Sequence, residues 1–170
     1  MVEAARYAGT WYELARLPNR FQEQCKGDVT AVYEARTDGT LGVVNSCRTV
    51  GGDLTTARGR ATQESGSDTG ARWKVSFLPS WLQWFPLGRG DYWIVMLDAD
   101  YRYAVVSEPS REYMWILSRT PSMDAANYDA LLSRLQAAGY PVGQLVRTPQ
   151  AAGAAANPAT SSVARLNRML

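Results

Sequence analysis

A chain of 170 residues is the length of one ordinary domain, and 46% apolar with 20% charged residues is a globular composition that can bury a sizeable core. Basic and acidic residues number 18 and 16, a net charge of +2, without the basic excess of a nucleic-acid binder. The absence of histidine excludes Ser-His-Asp and Cys-His nucleophile systems and histidine-based zinc sites, and two cysteines are too few for a four-cysteine metal site. No phosphate-cradling GxxxxGK[ST] or GxGxxG motif occurs, so neither cofactor nor metal is expected. No stretch approaches the roughly 20 apolar residues of a membrane-spanning helix. No signal peptide precedes the first patterned segment, so the chain reads either as cytosolic or as a domain whose export segment lies outside it.

Short segments with period-2 alternation follow one another, each closed by a turn signal. Tyr7–Leu17 opens the series. Val29–Ala35 runs through Thr37-Asp38-Gly39, an Asp-Gly hairpin turn, into Leu41–Cys47. Gly51-Gly52-Asp53 turns the chain into the more polar Leu54–Gln63, and the soft loop 64–70 leads to Trp73–Phe77. A long apolar loop precedes Tyr92–Leu97. Asp98-Ala99-Asp100 and Glu108-Pro109-Ser110-Arg111 then separate Tyr101–Ser107 from Tyr113–Arg119. One helix follows, with Ser122 as its cap, Tyr128, Leu131, Leu132 and Leu135 on one face, and Gly139 at its end. Leu145–Arg147 can add a short last strand. Residues 151–170 read as a flexible tail rich in Ala, Pro and Ser, whose end can form an amphipathic turn or two.

Eight strands and one helix suit an all-β fold: an eight-stranded antiparallel up-and-down barrel with a C-terminal α-helix packed outside. Closure removes the exposed sheet edges, and eight strands leave room for one small ligand.

Gly9-Thr10-Trp11-Tyr12-Glu13 resembles the GxW signature of the lipocalin family. Asp98-Ala99-Asp100-Tyr101 is similar to its second motif, and Trp115 to Pro121, with Arg119, to its third. Gly90-Asp91-Tyr92-Trp93 and Glu108 to Trp115 resemble the bacterial outer-membrane lipocalins and their plant temperature-induced and apolipoprotein D relatives. The likeness covers residues 5–150, within a domain taken as 1–150. It implies a barrel closed at one end, with Gly9, Trp11 and Arg119 as structural motif residues. A guanidinium over an indole is a cation–π pair that gains strength when shielded from water.

If Arg119 points inward, alternation turns Leu117, Trp115 and Tyr113 inward and Met114, Ile116 and Ser118 outward, beneath the helix. The same parity places Tyr92, Ile94 and Met96, Ala104 and Val106, and Trp73, Val75 and Phe77 on the ligand wall. Ala31, Tyr33, Val43 and Asn45 complete it. Such a wall suits an extended hydrophobic ligand held by burial at about 25 cal/mol per Å²; the resemblance implies fatty acids, lysophospholipids or similar amphiphiles, entering tail first. Glu108, Arg111 and Tyr113 fall near the rim, where Arg111 can meet a phosphate or carboxylate. A filled core without a cavity is the competing reading.

The loop 78–87 carries Trp81, Leu82, Trp84 and Phe85 between prolines, a composition suited to a lid, a dimer contact or a membrane interface. By hairpin register Cys47 returns near residues 29–31, so a bulge or the loop must bring Cys25 to it if the two form a disulfide. A disulfide, which related bacterial sequences carry, points to the periplasm or the outer membrane. The expected protein is a non-catalytic carrier, monomeric or homodimeric, with a role in transport, storage or stress response. The alternatives are a docking module acting through loop 78–87 and an isomerase using an unpaired Cys47.

Overall fold

The chain begins with a single helical turn, α1 (Ala4–Tyr7), before its first strand. The sequence pattern placed Tyr7 in the strand. Instead β1 spans Gly9–Arg16, and Gly9 makes the corner at a φ of +103° that a side chain resists. The computed structural model describes residues 1–77 and 90–151. Seven further strands follow: β2 (Cys25–Ala35), β3 (Leu41–Thr49), β4 (Leu54–Gln63), β5 (Arg72–Phe77), β6 (Gly90–Leu97), β7 (Tyr103–Ser107) and β8 (Met114–Ser118). Each pairs antiparallel with the next, and β1 pairs with both β8 and β2, which closes the barrel. A two-residue strand, β9 (Val146–Arg147), lies against the upper edge of β1.

Two features of β7 and β2 differ from the expected bounds. Tyr101 sits in the turn before β7 at a φ of +57°, where Asp98 gathers the N–H groups of Asp100 and Arg102 and the Arg102 guanidinium. β2 begins four residues early, because two register shifts carry Cys25 up beside β3. Those shifts supply the bulge the cysteine spacing demanded. Cys25 and Cys47 form a disulfide with Cα atoms 5.5 Å apart.

Two apolar clusters share the barrel wall. The inner one contains Trp11, Tyr33, Leu41, Val43, Trp73, Ile94, Ala104, Val106 and Leu117. The outer one joins Leu14, Val105, Met114 and Ile116 to Tyr128, Leu131 and Leu135 of α2 (Ala125–Ala137). Alternation along β8 thus feeds both cores at once. The cap of α2 is Asp124, not Ser122: its Oδ1 accepts from the N–H groups of Ala126 (2.9 Å) and Asn127 (3.3 Å). At the other end Gly139 has a φ of +86°; its N–H donates to Gln136 O and that of Tyr140 to Leu135 O, the paired bonds of a glycine-terminated helix.

Strands β1 and β2 pair only over Gly9–Tyr12, so the seam between them opens toward the far end of the barrel. The segment after β9 fills it. Thr148 N–H donates to Leu14 O, Asp28 N–H to Pro149 O, and Gln150 Nε2 to both Glu13 O (2.8 Å) and Val29 O (2.9 Å). Loop residues Trp81, Leu82, Trp84 and Phe85 and the tail 152–170 lie outside the described residues.

Candidate functional site

The end of the barrel carrying α1 is shut. Arg119 Cζ stands 3.8 Å from the centre of the fully buried Trp11 ring. The guanidinium donates to the carbonyl oxygens of Arg6 (2.7 Å), Tyr101 (3.2 Å), Thr10 and Tyr7 (3.3 Å each), while Trp11 Nε1 donates to Tyr7 O at 2.8 Å. A Cβ on Gly9 would lie 3.1 Å from an Arg119 nitrogen, so a side chain at this corner would push the guanidinium aside by a few tenths of an ångström. Gly9, Trp11 and Arg119 therefore form one closure, with the cation held by carbonyl dipoles over an aromatic face.

Above this plug the barrel encloses a cavity of about 500 Å³. Of the residues expected on its wall, Ala31, Tyr33, Val43, Asn45, Val75, Phe77, Tyr92, Val106, Tyr113, Trp115 and Leu117 line it. Trp73, Ile94 and Ala104 point inward but pack into the inner core below. Met96 does not point inward. The register of β6 against β7 shifts between Ile94 and Met96, so Val95 and Met96 both oppose the region of Val105 and pack with the helix-side cluster. Leu97 takes the inward place that simple alternation gave to Met96.

The floor of the cavity is phenolic. Tyr33 Oη donates to Tyr92 Oη at 2.8 Å, and the Tyr7 and Tyr92 hydroxyl oxygens lie 2.6 Å apart. Burial pushes the Tyr33 hydroxyl up to about 12 and carries Tyr7 and Tyr92 well above the ordinary phenol value.

The mouth is polar, and the charged residues on the described lining are Glu13, Asp91, Glu108 and Glu112. Glu13 is 2% exposed, yet both its carboxylate oxygens are used. Oε1 accepts from Arg16 Nη1 (2.8 Å) and Thr148 Oγ1 (2.6 Å), and Oε2 from Gln22 Nε2 (2.8 Å). Gln22 Oε1 in turn accepts from Trp115 Nε1 (2.7 Å) and Asn19 Nδ2 (2.8 Å). The short 3₁₀ turn Arg20–Gln22 is thereby tied to β1, β8 and the segment after β9. Tyr113 and Trp115 stack with ring planes 9° apart and centres 6.1 Å apart. Asp91 pairs with Lys74 of β5. Burial alone would raise the Glu108 carboxyl, but donors from Ser110, Tyr113 and Glu112 together hold it below the usual carboxylate range.

Arg111 is absent from this lining. Its guanidinium donates to Ala138 O at the end of α2 (3.0 Å) and lies 4.8 Å from the Tyr140 ring centre. The helix terminus, with its unpaired carbonyls, outcompetes the rim for that charge. The thiol chemistry considered for Cys47 has no thiol, because both cysteines are consumed by the disulfide. Glu13 and Gln22 were not anticipated. Glu13 shares the parity of Trp11 and was legible on that basis; Gln22 sits in a loop segment with no pattern to read. No group of His, Cys, Asp and Glu able to hold a metal occurs among the described residues.

Residues 2–150 match the family model described as a lipocalin-like domain. Temperature-induced lipocalin-1 of Arabidopsis thaliana is 38% identical over 146 residues, spanning 85% of this chain and 77% of that protein. The outer membrane lipoprotein Blc of Escherichia coli (strain K12) is 34% identical over 148 residues, with 87% and 79% covered. Insecticyanin of the tobacco hornworm Manduca sexta shares the fold with a TM-score of 0.69 at 15% identity, over 90% of this chain and 83% of that one.

Proposed function

The chain belongs to the lipocalin family, whose members bind small hydrophobic ligands, and on that premise we propose that it carries or stores fatty acids or lysophospholipids in the barrel. The observation that supports this reading is the cavity of about 500 Å³ above the sealed Trp11–Arg119 end. Its middle is apolar, so the acyl chain enters tail first and gains roughly 25 cal/mol for each Å² it removes from water. The head group stays at the mouth among Glu13, Asp91, Glu108 and Glu112. Glu13 pairs with Arg16 and Asp91 with Lys74, so Glu108 and Glu112 are the carboxylates that would attract a head group's ammonium. No catalytic step is proposed.

Relatives named as outer membrane lipoproteins and the Cys25–Cys47 disulfide support a place in the periplasm or at the outer membrane. β5 ends at Phe77 and β6 starts at Gly90, both on the cavity lining, and the reading gives the apolar sequence 78–87 between them a peripheral contact with the bilayer from which the lipid comes. Native mass spectrometry with lipid extraction, on protein purified without detergent, tests the carriage. A bound fatty acid or lysophospholipid is expected. A chain that is empty and whose tryptophans are not quenched on titration with those lipids would overturn it. Liposome flotation tests the contact: a Trp81→Ser, Trp84→Ser variant is expected to float less than the parent, and equal flotation would remove the bilayer role.

A further inference from the structure

Three hydroxyls meet at the cavity floor, and their protons do not balance. Tyr7, Tyr33 and Tyr92 carry three hydroxyl protons, and the two contacts among them use two. If Tyr7 donates to Tyr92, the unspent proton belongs to Tyr92, which lines the cavity. If Tyr92 donates to Tyr7, it belongs to Tyr7, which is 1% exposed and has no other hydrogen-bond partner for its hydroxyl among the described residues. A buried donor without an acceptor is costly, so the first arrangement prevails. A second observation lies on the same wall. Asn45 lines the cavity, and its Oδ1 is buried without a partner among the described residues. Val43 pairs with Tyr33 and Asn45 with Ala31, so the amide stands one inward step above the phenols on β3.

We propose that this deep end is a polar subsite for an uncharged oxygen on the ligand's aliphatic chain, with Tyr92 Oη as donor and Asn45 Oδ1 as acceptor. The ligand class is an oxygenated chain, bearing a hydroxyl or a carbonyl at or near the end that enters first. A hydroxyl satisfies both groups, and a carbonyl satisfies Tyr92. The subsite carries no charge, because burial keeps all three phenols protonated. This inference rests on the carriage reading and narrows its ligand.

Hexadecanoic acid and 16-hydroxyhexadecanoic acid, titrated against the full chain and against Tyr92→Phe, test it through the ratio of their affinities. The parent protein is expected to bind the hydroxylated chain at least as tightly as the plain one. In Tyr92→Phe the ratio is expected to move against the hydroxyl by about tenfold, because its oxygen loses the Tyr92 donor and keeps only the bond to Asn45 Oδ1. A ratio unchanged within twofold, or a parent that rejects the hydroxyl tenfold, overturns the subsite while leaving carriage intact. Failure of both these acids and of a lysophosphatidylcholine to bind overturns carriage and the subsite together. Should Tyr92→Phe not fold, infrared spectra of hexadecan-2-one bound to the parent protein decide. The carbonyl band is expected below its position in hexane, and a band at the hexane position overturns the proposal.

Discussion

Raising the pH should unfold this barrel through its own floor. Tyr33 ionises in the folded state only near 12, against an ordinary phenol value of 10, because burial penalises the phenolate. The folded state therefore holds a proton that the unfolded chain has released, and stability falls as pH rises through the interval from 10 to about 12. The preference for the neutral form is about a hundredfold, and each tenfold step is about 1.4 kcal/mol, so Tyr33 accounts for about 3 kcal/mol of lost stability above that interval. Tyr7 and Tyr92 are shifted in the same direction by the same burial and add to the loss. Against a domain stability of about 5–15 kcal/mol this is enough to drive alkaline unfolding. The assay follows phenolate absorbance and near-ultraviolet circular dichroism together. Ionisation of Tyr7, Tyr33 and Tyr92 is expected only above the ordinary phenol value and together with the loss of tertiary signal. If all the tyrosines titrate together near pH 10 in a protein that keeps its tertiary signal, the reasoning is refuted.

Arg119→Gln removes the cation from the Trp11 face and a donor from several carbonyl groups, and is expected to cost about 2–4 kcal/mol; a change below about 0.5 kcal/mol in urea unfolding would show that the closed end does not depend on it. Replacing both Cys25 and Cys47 by Ala frees a loop with a sequence separation of 22 and should cost about 3 kcal/mol, checked by urea midpoints with and without reductant; a parent protein insensitive to reductant would contradict this. Gly9→Ala meets both a positive φ and an Arg119 nitrogen 3.1 Å from the new methyl, so a loss of about 1–3 kcal/mol is expected from thermal unfolding, and a neutral or stabilising change would refute the corner's strain.

The strands were legible because their residues alternate, and the Asp38-Gly39 turn marks the first hairpin plainly. The inward set was legible wherever the alternation is unbroken, as along β8, where Trp115 and Leu117 face the barrel interior while Met114 and Ile116 face the helix. It failed at Met96, where one extra residue in β6 turns a side chain to the other face without changing the composition of the segment. Arg111 misled for a related reason. Its turn is readable, but the competitor for its charge, the end of α2, lies 27 residues along the chain.

What the sequence determined by itself was therefore local or periodic: eight strands, one helix, the Gly9, Trp11 and Arg119 motif positions, and the exclusion of histidine chemistry. Only the tertiary structure decided what depends on distant segments meeting. Cys25 reaches Cys47 through two register shifts. The carboxylate of Glu13 is buried and satisfied because Gln22 and Thr148, 9 and 135 residues further along the chain, both come to it. The three phenols share hydroxyl contacts because a helical turn before β1 lifts Tyr7 between two distant strands. Alternation records which face a residue takes; the curvature and bulges of a closed barrel fix which residues on that face come into contact.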